Sequence, residues 1–223
     1  MSQKKSSLQD VKPENSALLV IDMSRDFLAP GAPLENSAGR EMADHLSELM
    51  DRCRAVGLPI IYVNHVHHPE TRNIGTLAER FPNIGQGKVL RAGSRGVEMW
   101  EKIAPKEGDL IVEKIRQSGF VYTGLEATLR ELGVRNVIVS GVSVGACVEC
   151  TARDAVARDF HTIMLSDGTS ANSLPDQGWG EIDFETLQRV FLSNFAFHFG
   201  GVASIDELMN GPLAADTAGR RAS

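Results

Sequence analysis

No apolar run in this chain of 223 residues approaches the length that a membrane-spanning helix needs, so no transmembrane segment is expected. An excess of basic charge is also missing. The 23 Lys and Arg residues stand against 29 Asp and Glu, net −6, with no Lys/Arg block, which argues against nucleic acid or anionic membrane as a partner. Cysteine is scarce. Three residues, an odd number, suggest no disulfide framework and point to a reducing, cytoplasmic setting. Residues 1–7 carry no apolar stretch after Lys4 and Lys5, so no secretory signal is read there. Phosphate-cradling glycine motifs are absent where they would matter. After the first apolar run stands Met23-Ser24-Arg25-Asp26-Phe27, with neither Gly-x-Gly-x-x-Gly nor Gly-Lys-Ser/Thr, which argues against a nucleotide-binding domain. There is no internal repeat and no low-complexity tract.

The composition, 42% apolar and 23% charged, is that of an ordinary soluble globular protein. Five short runs rich in Val, Ile and Leu read as parallel strands buried on both faces: residues 17–21, 59–63, 109–114, 136–140 and 161–165. Between them lie helical stripes. Met42, Leu46, Leu49 and Cys53 share one face and stop near Gly57; Leu125, Leu129 and Leu132 stop at Gly133. Further helices are expected from about Cys147 to Asp159 and from Phe184 to Phe195. This alternation predicts an α/β fold, a three-layer, doubly wound, mainly parallel sheet with helices on both faces. One domain is expected over residues 16–211, between a flexible arm (1–15) and a flexible tail (212–223). Residues 66–100, rich in Gly and Pro, break the rhythm; so long a connection is commonly functional or subunit-bridging.

Doubly wound sheets place their functional crevice beyond the carboxyl ends of the strands. Three reactive side chains fall there: Asp22 after the first run, Lys114 at the end of the third, and Cys147 after the fourth. A thiol near a helix N-terminus is expected to have a lowered pKa and to serve as a nucleophile. Lys114 would favour the thiolate and keep Asp22 ionised, while Asp22 would take the thiol proton and deliver it to a leaving nitrogen. Taken singly, Asp22 can be a turn carboxylate, Lys114 a snorkelling strand-end lysine and Cys147 a packing residue; joint placement favours catalysis. The backbone amides of Cys147 and Ser143 are the expected oxyanion donors.

Three blocks carry a resemblance: Leu19-Val20-Ile21-Asp22-Met23-Ser24-Arg25-Asp26-Phe27, Val112-Glu113-Lys114, and Gly141 to Ala155 around Cys147. Their order, contexts and spacing resemble the signature blocks of the isochorismatase-like cysteine hydrolases, over roughly residues 15–200. The resemblance implies a six-stranded Rossmann-like sheet, an Asp–Lys–Cys triad, a cis peptide at Val142–Ser143, and hydrolysis of an amide or ureide through a thioester. Residues 114–120 are similar to the ureidoacrylate and N-carbamoyl amide hydrolases, a hint about substrate, and Phe27, Ser118 and Phe120 are the pocket candidates. It implies a small-molecule amide as substrate, no cofactor, and a homo-oligomer, dimer or tetramer. In one departure, Ser143-Val144-Gly145-Ala146 stands where Ala-Thr-Asn-Val is common, which reshapes the pocket floor. The nicotinamidase branch carries a metal-binding Asp and His set after the second strand. Here His65, His67 and His68 lack the aligned aspartate, and no metal is expected.

Alternatives within the family are a nicotinamidase-like ring-amide hydrolase and an isochorismatase-type vinyl-ether hydrolase, which needs no cysteine. Outside it stand a non-catalytic scaffold and a thiol redox protein built on Cys147-Val148-Glu149-Cys150. The redox motif, however, normally follows an early strand of a smaller domain.

Overall fold

A computed structural model describes residues 8–68 and 74–214. These form a six-stranded sheet in the order β3-β2-β1-β4-β5-β6, every neighbouring pair parallel. The strands are β1 (Ser16–Ile21), β2 (Ile60–His65), β3 (Leu110–Lys114), β4 (Asn136–Val142), β5 (His161–Ser170) and β6 (Gly201–Ala203). Strand order reverses between β1 and β4, and a crevice opens at that switch point.

Period-two alternation divides the core. Leu18 and Val20 face one side, beneath α1 (Ala43–Val56) and a short C-terminal helix, Ile205–Met209. Leu19 and Ile21 face the other, beneath α2 (Leu125–Glu131), α3 (Glu149–Val156) and α4 (Phe184–His198). The stripe foreseen on α1 is its buried face, and Gly57 ends the helix with φ of 78°, a conformation that glycine adopts without steric cost. Fully burying one such leucine stabilises the fold by roughly 1.5–3 kcal/mol.

Three expectations need correction. First, β3 is not buried on both faces; it is an edge strand with Ile111 57% exposed. Second, no regular helix begins at Cys147. Residues Val144–Val148 form a wide turn broken at Ala146 (φ −139°, ψ −106°), and α3 starts at Glu149 and ends at Val156. Third, the flanks are shorter than expected. Val11 packs into the core, Asn136 Nδ2 donates to Asp10 O, and Leu213 is buried, so residues 8–15 and 212–213 belong to the packed body. The remainder of the expected arm and tail, 1–7 and 215–223, lies outside the described residues. The long connection between β2 and β3 builds a core of its own. Leu77, Ile84, Val89 and Leu90 bury themselves in a small third cluster with Phe27 and Leu34, which apolar side chains in a Gly/Pro-rich segment make possible.

Candidate active site

Three strand ends build the site. Asp22 follows β1 with φ of 53°, a left-handed conformation uncommon for a residue with a side chain. Its amide donates to Val63 O, and its Oδ1 accepts from the His65 amide at 2.8 Å. The end of β2 thus holds the carboxylate. Lys114 ends β3, and its ammonium lies 2.9 Å from Asp22 Oδ2, 3.3 Å from Cys147 Sγ and 3.2 Å from His65 Nδ1. It also donates to Arg116 O at 3.1 Å. The contact with Oδ2 is close but out of line for a hydrogen bond, which leaves that oxygen without an aligned donor.

Cys147 is carried on the turn between β4 and α3. That turn is anchored by Thr151 Oγ1, which donates to Cys147 O and accepts from the Gly119 amide. The peptide between Val142 and Ser143 is cis, as the resemblance implied. Gly141 permits the close approach of β4 to β1. Its φ is 112°, and a Cβ there would lie 2.0 Å from Ile21 O.

Electrostatics define the resting protonation. Burial, then the Asp22 carboxylate, push the Cys147 thiol up, against the pull of Lys114. The lowered pKa expected of a helix N-terminus is therefore corrected, because the site is buried and an anion adjoins the sulfur. Burial opposes charge on Lys114, but Asp22 and Cys147 outweigh it and hold its pKa up. Burial and the Lys114 charge drive His65 far down, so its ring stays neutral. An ammonium can only donate. Nδ1 of His65 is therefore the acceptor, and the ring proton sits on Nε2.

No histidine stands out in the sequence, yet His65 sits against Asp22, Lys114 and Cys147. Of the three histidines of the cluster, His65 and His67 stand side by side, ring centroids 4.8 Å apart, while His68 turns away. His67 is buried, its amide bonded to Leu90 O, and His68 pairs with Glu113 at 2.6 Å. The potential ligand atoms that do gather, from Asp22, His65 and Cys147, lie within 4.8 Å of one another. The Lys114 ammonium touches all three residues.

Above Cys147 opens a cavity of about 430 Å³, lined by Phe27, Ser143, Cys147 and His65 among others. A larger hollow of about 790 Å³ lies at the opposite end of β4 and β5, away from the thiol. Of the pocket candidates, Phe27 lines the cavity, but Ser118 and Phe120 do not. Ser118 Oγ donates to Asp154 on α3, and Phe120 packs against Phe160 in the core. The loop after β3 turns Gln117 inward instead. Phe191, also missed, lies one helical turn beyond Leu187 on α4, and that spacing was readable as an inward face. Cys150 is a free thiol in a separate hollow with Arg153 and Asp154, outside the cavity that Cys147 lines.

Comparison with known proteins agrees with this geometry. A family model described as the Isochorismatase domain matches residues 16–189. A ureidoacrylate amidohydrolase of Klebsiella pneumoniae is 30% identical over 176 residues, 70% of this chain and 74% of its own. One from Pseudomonas syringae pv. syringae is 27% identical over 217 residues, 88% and 83% of the two chains. Among solved structures, a cysteine hydrolase from Pseudomonas syringae pv. phaseolicola superposes with a TM-score of 0.87 at 32% identity, covering 90% of this chain and 93% of the other. N-carbamoylsarcosine amidase from Thermoplasma acidophilum gives 0.68 at 26% identity, covering 86% and 98%.

Proposed function

Since the chain belongs to the isochorismatase family of hydrolases, we propose that it is a metal-independent cysteine amidohydrolase that releases ammonia from a small amide through a thioester. The observation that carries this reading is the Lys114 ammonium within 3.3 Å of both the Cys147 sulfur and the Asp22 carboxylate, at the floor of a cavity. Relatives named for amide hydrolysis support it. No described helix is long and apolar enough to cross a membrane.

Each step follows from the resting charges. The Cys147 proton passes to Asp22 Oδ2 as Sγ attacks the amide carbonyl carbon. The amides of Ser143 and Cys147 receive the oxyanion, which is the charge that develops in the transition state. As the intermediate collapses, Asp22 returns the proton to the nitrogen and ammonia leaves. Asp22 then takes a proton from water, whose oxygen attacks the thioester. The acid departs, and the proton returns to sulfur. Lys114 keeps its charge throughout and offsets the negative charge that moves between Asp22 and sulfur. In contact with Asp22, His65 and Cys147, that ammonium supplies positive charge at the centre of the site.

Cys147→Ser should reduce ammonia release from small amides to background while leaving the circular dichroism unchanged. Mass spectrometry of the parent enzyme, quenched during turnover, should show the acyl adduct on Cys147. Full activity in the serine variant would sink the reading.

A further inference from the structure

The walls of the cavity narrow the substrate class, on the premise that the amidohydrolase reading holds. Phe27, Leu77, Phe81, Leu90, Leu174 and Phe191 all face the space above Cys147. They come from distant parts of the chain: the turn after β1, the segment between β2 and β3, the hairpin after β5, and α4. No Lys or Arg is among the described residues that line the cavity. Its single acidic side chain, Glu35, is tied to Arg40 at 2.8 Å and to the Gly31 amide at 2.7 Å. Arg40 itself stands behind Glu35, with its guanidinium also bound to Leu28 O. Arg116 and Arg153 line the separate hollow beside Cys150. At the floor, the one ammonium already faces the Asp22 carboxylate.

Ureidoacrylate and N-carbamoylsarcosine both carry a carboxylate. Such a group placed in this cavity would be desolvated against aromatic and aliphatic side chains, and none of the described lining residues offers a cation to pair it. An uncharged apolar group meets the opposite situation, because every wall it touches gives up water on contact. The space is ample: an apolar cavity of roughly 150 Å³ already holds benzene, and this one is about 430 Å³. The amide head needs only the polar floor, where the Ser143 and Cys147 backbone and the neutral His65 ring lie.

We propose that this enzyme takes an uncharged amide bearing an apolar aryl or branched alkyl group, in place of the carboxylate-bearing ureido acids named for its relatives. The apolar walls are the selecting feature.

Ammonia release from phenylacetamide and 4-methylpentanamide should be compared with release from ureidoacrylate and N-carbamoylglycine. The neutral apolar amides should exceed the carboxylates in kcat/KM by about a hundredfold or more, the scale at which buried unpaired polar groups discriminate. Phe81→Arg, at the exposed rim, should narrow that ratio at least tenfold; an unmoved ratio would overturn the assignment of selectivity to the walls. Faster turnover of the carboxylates would overturn the inference and leave the amidohydrolase reading intact. Calorimetric binding to Cys147→Ser separates the two ideas. If phenylacetamide binds and N-carbamoylglycine does not, the inference stands even where turnover fails. If neither set binds and neither is hydrolysed, both ideas fall.

Discussion

Replacing Lys114 by Met keeps the length of the side-chain stem and removes the charge. Lys114 and Asp22 are both fully buried, with 2.9 Å between ammonium and carboxylate. Without Lys114, the aspartate keeps the His65 amide as a donor at 2.8 Å but loses its counter-ion. Breaking a buried pair from one side costs about 3–5 kcal/mol, because the surviving charge stays desolvated. Lys114→Met should therefore lower the unfolding free energy in urea by that amount at pH 7. Adding Asp22→Asn removes the orphaned charge, so the double variant should recover at least about half of the loss, a coupling expected only of groups in contact. Both variants should release no ammonia above background. Circular dichroism through the urea transition, with the slope checked for constancy, provides the measurement. A single variant within about 1 kcal/mol of the parent, or a double variant no more stable than the single, would falsify the buried-pair argument.

Asp22→Asn alone should lower kcat by about 10³-fold or more, since an amide accepts no proton from the thiol; near-normal ammonia release would remove its role as base. Gly141→Ala should destabilise by roughly 3 kcal/mol or more, because φ of 112° and a backbone oxygen 2.0 Å from the new Cβ allow no relaxation; thermal melting checks this. Stability should fall in alkali. Burial pushes the Cys53 thiol from 9.0 to about 12, so above pH 9 the folded chain holds a proton that the unfolded chain has lost. Within that window each pH unit costs about 1.4 kcal/mol for this group. Cys53→Ala should reduce the fall of the urea midpoint with pH above 9, where the buried Cys147 thiol still contributes, and an unchanged slope would contradict the assignment.

Much of this architecture was legible in the sequence because its signals are local. Short apolar runs mark the strands, the Met42–Cys53 stripe marks α1, and reactive residues sit where those runs stop. β6 was not legible. It spans three residues, Gly201–Ala203, too short for any alternation to show. The exposed face of β3 was hidden because Leu110, Ile111 and Val112 read as a buried run, while strand order, a non-local property, puts them at an edge. Ser118 and Phe120 were misplaced for a related reason: the direction of a loop side chain depends on what the loop packs against. Here that is Asp154 for Ser118 and Phe160 for Phe120. The pKa of Cys147 was misjudged because helix position is visible in sequence and desolvation is not.

The cation of the proposed triad rides on that edge strand. β3 pairs with one neighbour, and its outer residues face water, so it is among the first parts of the sheet to fray. Asp22 and Cys147, by contrast, extend from the central pair β1 and β4. Opening of the margin alone would withdraw Lys114 while the rest of the sheet stays folded, leaving a carboxylate and a thiol with nothing between them. In the proposed mechanism, fraying of β3 would thus abolish activity before the sheet as a whole unfolds.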